Sequence, residues 1–196
     1  MNRAAQQCRL VLLHLWSNLH VTECQLDELW SFVHTKQRNL PFAKTYCETH
    51  GDAWVWVAFA PVWRLVLAFT VGKRNQASAN LLLPRVLHVT DDDIPFFTSD
   101  QLPEYREALL QTYGQWYQPK RKGNRGPHPK PRLLPPPNLH YAQVVKKRQK
   151  GRVVEVKSKV IFGKEELIYA NLVGSTVSQT VNTSFIERHN LTSAPE

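Results

Sequence analysis

Asp27 and Glu28 stand side by side in Cys24-Gln25-Leu26-Asp27-Glu28-Leu29-Trp30-Ser31-Phe32-Val33, a stretch whose aromatic, leucine and β-branched content with near-alternating polarity predicts a strand. Side chains alternate across a strand, so the two acids point to opposite faces of a sheet and only one can belong to any given site. A carboxylate on a buried strand is costly unless it is paired or binds a cation. The alternative is an edge strand with both acids in water. A second acid, Asp100, follows the short apolar run Ile94 to Thr98 and precedes Pro103 to Tyr113, an amphipathic helix stopped by Gly114. Asp100 therefore sits where a strand ends and a helix begins, a position that a helix N-cap or a first-turn dipole partner would also explain. A third, Glu187, lies in Asn182 to Asn190, three residues after Ser184. That is capping-box spacing and predicts a helix start. Asp91, Asp92 and Asp93 are consecutive, diverge in direction and read as a solvated turn.

The elements that must position these acids follow from periodicity. Residues 1–22 form a helical lead-in with Leu10, Leu13, Trp16 and Leu19 at helical spacing. Trp54 to Ala60 and Leu65 to Val71 flank a short Pro-containing turn and read as an antiparallel hairpin covered on both sides, completing a three-strand meander with the Cys24 to Val33 strand. Asn75 to Leu87 is helical through Ala79, Leu82, Leu83 and Val86, with Pro84 expected to kink or divide it. Tyr141 to Val145 and Val153 to Phe162 predict a hairpin whose basic tip runs from Lys146 to Arg152, and Lys164 to Leu172 a further helix. The fold class is α/β, with a mixed sheet flanked by helices.

The 196 residues are 42% hydrophobic and include six Trp, which excludes wholesale disorder, and the longest apolar run is too short to span a bilayer. Cys8, Cys24 and Cys47 form no CxxC pair, so neither a disulfide framework nor a zinc module is supported and a reducing cytoplasm is expected. A net charge of +9 favours polyanionic partners. Much of it sits in 115–140, where seven prolines from Pro119 to Pro137 alternate with Lys120, Arg121, Lys122, Arg125, Lys130 and Arg132. Proline at that density reads as an extended basic loop: a solvated linker, or an arm contacting phosphates with Trp116, Tyr117 and His128 free to stack on bases. Lys146, Lys147 and Arg148 would add contacts at the hairpin tip.

Three blocks then stand in order: QLDELWSFV at Gln25 to Val33, TSDQLPEY at Thr98 to Tyr105, and NTSFIERHN at Asn182 to Asn190. Together they resemble the signature blocks of IS-one-type insertion-sequence transposases, members of the DDE group with an RNase H-like catalytic core, over roughly residues 22–192. The resemblance implies a catalytic triad of Asp27, Asp100 and Glu187 that holds two Mg²⁺ or Mn²⁺ ions, hard cations suited to oxygen ligands. Asp27 would bridge the two, and Asp100 and Glu187 would each complete one shell. It implies metal-dependent strand cleavage at transposon ends followed by transfer into target DNA, with Arg188, His189 and Asn190 near the scissile strand. Transposon-end and target DNA would be the partners, a homo-oligomer, at least a dimer, the working form on DNA, no membrane would be involved, and a nucleoid-associated bacterial cytoplasm the location.

On this reading residues 1–22 are a lead-in, 23–192 the catalytic domain and 193–196 a tail. The blocks arrive without the family's N-terminal zinc-ribbon and helix-turn-helix region, and Pro195 stands where a basic helical tail would continue. The chain is thus expected to be truncated at both termini. Two other functions fit the residues: an inactive remnant that binds DNA without cutting it, and a basic nucleic-acid-binding protein in which the acids are structural.

Overall fold

β1 (Glu23–Val33) is hydrogen-bonded along both of its sides. Its antiparallel partner β2 (Gly51–Ala60) runs from Gln25 opposite Phe59 to Val33 opposite Gly51, and its parallel partner β4 (Phe96–Asp100) runs from Glu23 beside Phe96 to Leu26 beside Ser99. β1 is thus no edge strand over its first part, and just past the end of its β4 pairing the Glu28 side chain is only 6% exposed, so the alternative with both acids in water does not hold. This is seen in a computed structural model that describes residues 7, 11, 15–42, 50–121 and 128–193. The expectations for Cys8, Leu10, Leu13, Cys47, Lys122 and Arg125 lie outside the described residues. Trp16 and Leu19 of the lead-in pack against the core as expected, but not from a helix: residues 16–18 form a bend and Leu19 bridges to Thr90, a correction to the expected helical spacing.

With β3 (Leu65–Gly72), β7 (Tyr141–Gln149) and β8 (Arg152–Phe162), the strands form a six-stranded mixed sheet ordered β3-β2-β1-β4-β7-β8. β1, β2 and β3 make the predicted meander, β4 and β7 run parallel to β1, and β8 turns back antiparallel. Helices cover both faces. On one, α1 (Gln76–Val89) and α2 (Pro103–Tyr113) bury Leu82, Leu83, Val86, Tyr105 and Leu109 against Cys24, Leu26, Trp56, Phe97 and Tyr141. On the other, α3 (Glu165–Gly174) packs Ile168 and Leu172 on Phe96 and Ala142, and α4 (Ser184–Ser193) packs Ile186 on Val57 and Phe59. That second face is open beyond α4, because Phe69 and Val71 of the edge strand β3 are 57% and 60% exposed. The expected covering of both faces therefore holds for β2 but not for β3.

Pro84 does not divide α1. A proline inside a helix costs about 3 kcal/mol, whereas burying a Leu or Val side chain stabilises by roughly 1.5–3 kcal/mol. Leu82, Leu83 and Val86, all fully buried, outweigh the proline together, and Asn75 caps the helix by accepting from the Ser78 amide at 3.2 Å. The proline-rich segment also departs from a simple loop: β5 (Gln115–Tyr117) and β6 (Arg132–Leu134) pair as a small separate ladder. Only non-proline residues enter that ladder, with Pro131 and Pro135 just outside it, so no missing N–H interrupts the pairing.

β7 pairs with β4 only over Tyr141–Val144, and β7 and β8 then run on past the sheet as a two-stranded ribbon. Lys150 (φ 49°) and Gly151 (φ 79°) make its turn, the consecutive left-handed residues that a two-residue hairpin loop requires. The tip is therefore Lys150-Gly151, and Lys146, Lys147 and Arg148 belong to the body of β7, a correction to the predicted tip. Among the described residues no helix is long and apolar enough to cross a membrane.

The docking of α4 rests on Ile186, which is fully buried, while Leu191 on the same helix is 81% exposed. Ile186→Ala is expected to cost about 2–5 kcal/mol in urea denaturation, and Leu191→Ala to stay within about 0.5 kcal/mol. Equal effects would show that α4 does not dock through Ile186.

Candidate functional site

The register of the sheet brings the acids together. Leu26 beside Ser99 is the last pair of the β1–β4 ladder, and the next residues are Asp27 and Asp100, emerging side by side on one face. Asp100 lies beside Val144, so Lys146, two residues further along β7, projects on that same face. α4 crosses it. Its first turn is tied to the strands by buried Gln25, whose Oε1 accepts from the Ile186 amide at 3.0 Å, and by Thr98, whose hydroxyl donates to the Asn182 carbonyl at 3.2 Å. Residues 183, 186, 187 and 190 recur at helical spacing, so Thr183, Glu187 and Asn190 share the sheet-facing side with Ile186.

The contacts that result form one connected cluster. Asn190 Nδ2 donates to Asp27 Oδ2 at 2.7 Å. The Lys146 ammonium lies 3.3 Å from each carboxylate oxygen of Asp100 and also donates to Glu187 Oε1. Thr183 Oγ1 stands 3.1 Å from Asp100 Oδ1 and 2.6 Å from Glu187 Oε1, so its one proton serves both acids. Glu28 points away, as predicted, into the face under α1 and α2, where the Arg74 guanidinium contacts its Oε2 at 3.0 and 3.3 Å.

Burial pushes Asp27 up to about 6, and the nearby charges of Glu28 and Asp100 act in the same direction; the Glu28 amide and Asn190 oppose them without prevailing. Burial also works to raise Glu187, but hydrogen bonds from Lys146 and Thr183, with the charges of Lys146 and Arg148, bring it below its ordinary value. For Lys146 burial pulls downward and the two acids prevail, holding the ammonium charged. The cluster thus contains two partly exposed acids on one lysine and a third, more buried acid that resists ionisation.

Two explanations offered for the acids from sequence are corrected. The N-cap of α2 is Leu102, without a side-chain cap, so Asp100 caps nothing: only its backbone carbonyl takes part, accepting from the Leu102 amide at 2.8 Å. Glu187 takes its local bond from Thr183, one turn earlier, while Ser184 turns its hydroxyl to Asn182 Oδ1 at 2.8 Å, so the capping-box pairing with Ser184 is replaced. Of the other residues singled out, Asn190 joins the cluster, His189 stacks on Phe59 at 5.1 Å between ring centroids, and Arg188 is exposed. Lys147 and Arg148 are exposed on the ribbon, and Lys120, Arg121, Lys130 and Arg132 are exposed as well. Sequence reasoning missed Thr183, Gln25 and the partnership of Lys146 with the acids. The first two carried a signal: Thr183 stands four residues before Glu187, and Gln25 two before Asp27 on a strand. Lys146 carried none, because its partners are 46 and 41 residues away.

A cation site has two possible locations. Among the described residues, the group of three or more candidate ligands whose donor atoms all lie within 4.8 Å of one another is His20, Asp91 and Asp93, which could hold a metal ion. A bridge between Leu19 and Thr90 brings His20 to the acids, with Nδ1 2.8 Å from Asp91 and 3.7 Å from Asp93. Two of the three consecutive acids thus converge, against the expectation that all would diverge. Asp27, Asp100 and Glu187 are more widely spaced, which suits two ions rather than one: ions about 4 Å apart with ligands about 2 Å from each need outer carboxylates further apart than a single ion does. The donor set fits: it is all oxygen, includes a desolvated carboxylate that has no cationic partner among the described residues, and already holds one ammonium. No family model, curated protein or solved structure matches this chain.

A raised carboxyl destabilises the fold once it ionises. The stabilisation tied to protonated Asp27 is therefore fully present below about pH 4 and is lost as pH rises through about 6. Asp27→Asn removes that dependence, so its stability advantage over the parent is expected to grow from pH 4 to pH 7 by roughly 3 kcal/mol, at about 1.4 kcal/mol per pH unit. Urea denaturation at pH 4, 5.5 and 7 measures it, and a constant difference would mean that Asp27 is not desolvated.

Proposed function

We propose that this chain is a DDE-type DNA transposase of the IS-one kind, built on an RNase H-like core, that cleaves at insertion-sequence ends and transfers the new strand ends into target DNA. The observation that carries this reading is the meeting of Asp27, Asp100 and Glu187 on one sheet face, from a central strand, the end of its parallel neighbour and a helix crossing both. The order of the sheet, a three-strand antiparallel meander followed by parallel strands, supports the same core.

Asp27, Asp100 and Glu187 would hold two Mg²⁺ or Mn²⁺ ions, which when bound supply activation of the attacking oxygen and charge neutralisation at the phosphodiester. The chain's own residues do the rest. Asn190 fixes the orientation of the Asp27 carboxylate, and Thr183 holds Asp100 and Glu187 in one arrangement. Gln25 and Ile186 lock α4 so that Glu187 stays over the strand ends. Outside the cluster, Lys147 and Arg148 on the ribbon and Lys120, Arg121, Lys122, Arg125, Lys130 and Arg132 on the proline-rich arm supply positive charge for the DNA backbone. Joining two ends requires more than one copy on DNA.

A second reading, a DNA-binding protein that does not cut, is favoured by one observation: Lys146 already neutralises part of the charge on Asp100 and Glu187. One experiment separates the two. Asp27→Asn and Asp100→Asn are each expected to lower Mn²⁺-dependent nicking of end-containing DNA by at least about 100-fold, the loss typical when one group that stabilises transition-state charge is removed. DNA affinity should stay within about threefold, since neither acid contacts the backbone favourably. Parental binding without any nicking would favour the second reading, and nicking retained by either variant would refute the assigned triad.

A further inference from the structure

Lys146 is the one residue of the cluster that works against its use as a cation site. Its Nζ touches both oxygens of Asp100 and one of Glu187, its side chain is only 22% exposed, and it is held in the ordered body of β7 beside Val156. A lysine at an exposed hairpin tip would spread its charge into solvent; this one lies over the acids.

We propose that Lys146 is the resident counter-ion of the acidic cluster, and that a divalent cation enters by displacing its ammonium from Asp100 and Glu187. The inference rests on the reading of these acids as a metal site and adds the residue that gates it. Charge balance supports it. Three carboxylates and one bound phosphodiester carry four negative charges, and two divalent cations carry four positive ones, so an ammonium kept between the acids would be surplus. Without cations the three carboxylates have no other ammonium or guanidinium contacting them among the described residues, and the ammonium holds two of them together. Coordination and the ammonium also compete for the same lone pairs, because Glu187 Oε1 already accepts from both Lys146 and Thr183. The aliphatic stem of a lysine has four carbons and free rotamers, so Nζ can leave without any movement of β7.

The test measures cation affinity rather than cleavage, in a His20→Ala background so that the second metal-capable group does not contribute. Calorimetric titration with Mg²⁺ and with Mn²⁺ compares the parent, Lys146→Met, Lys146→Gln and Lys146→Arg. Removing the charge with Met or Gln is expected to tighten binding about tenfold, within the usual range of coupling between two sites. Arg keeps the charge and should leave affinity within about twofold. In the unaltered chain, reductive methylation of Lys146 mapped by mass spectrometry should speed up on adding Mg²⁺, a readout that does not require any variant to fold. Equal or weaker cation binding by the Met and Gln variants, or methylation unchanged by Mg²⁺, overturns the gating role while leaving the metal site intact. Absence of parental cation binding that depends on Asp100 overturns both.

Discussion

Everything at this site answers to one constraint, a carboxylate on a strand hydrogen-bonded along both sides. Asp27 pairs with Val57 of β2 and stands one residue past the last pair of the β4 ladder, so its backbone is held within the sheet. Its ionised form is therefore poorly solvated, and its pKa rises to about 6. Among the described residues no lysine or arginine contacts it. Asn190, a neutral amide, takes one oxygen, and it can do so only because Ile186 and Gln25 seat α4 across the strand ends. Loss of that seat would remove the amide from Asp27 and Glu187 from the cluster at once, so the chemistry of the site and the packing of the last helix are a single problem.

The adjacent acid shows how differently a neighbouring carboxylate can be treated. Glu28, one residue on and on the other face, lies under α1 and α2 and meets the Arg74 guanidinium, which itself stacks over Trp54 at 4.9 Å. An ion pair with one buried member is weak evidence for net stability, since desolvation offsets much of the attraction, but it leaves no acid unpaired. On the site face Lys146 contacts Asp100 and Glu187, and among the described residues no lysine or arginine contacts Asp27. That asymmetry separates Glu28 from the cluster: it is paired with one guanidinium beneath α1 and α2, whereas Asp100 and Glu187 share one lysine and lie on the face that is open next to the exposed edge of β3.

Much of the fold was legible in the residues. The meander, the long helix after it, the short strand ending at Asp100, the helix from Pro103 and the last helix all follow from local periodicity and punctuation, and the structure contains them within a few residues. Where the reading went astray, a distant partner had intervened. Pro84 failed to divide its helix because three buried side chains outweigh one lost backbone bond. The proline-rich stretch formed a ladder because its two non-proline ends met. The ribbon tip moved outward because pairing with β8 carried β7 on to Gln149, leaving Lys150-Gly151 to turn.

What the sequence determined by itself is whatever depends on neighbours along the chain: that Asp27 and Glu28 face apart, that Asp100 ends a strand, and that Glu187 lies in the first turn of a helix one turn after Thr183. Those relations follow from the two-residue repeat of a strand and the 3.6-residue repeat of a helix, which no tertiary contact can alter once the element forms. Only the tertiary structure decided which face became the site, that Asn190 holds Asp27, and that Lys146 lies between Asp100 and Glu187 rather than at a hairpin tip. The physical reason is register. Lys146 reaches the acids because β7 lies parallel to β4 with Val144 beside Asp100, and a slip of one residue would turn its side chain to the opposite face.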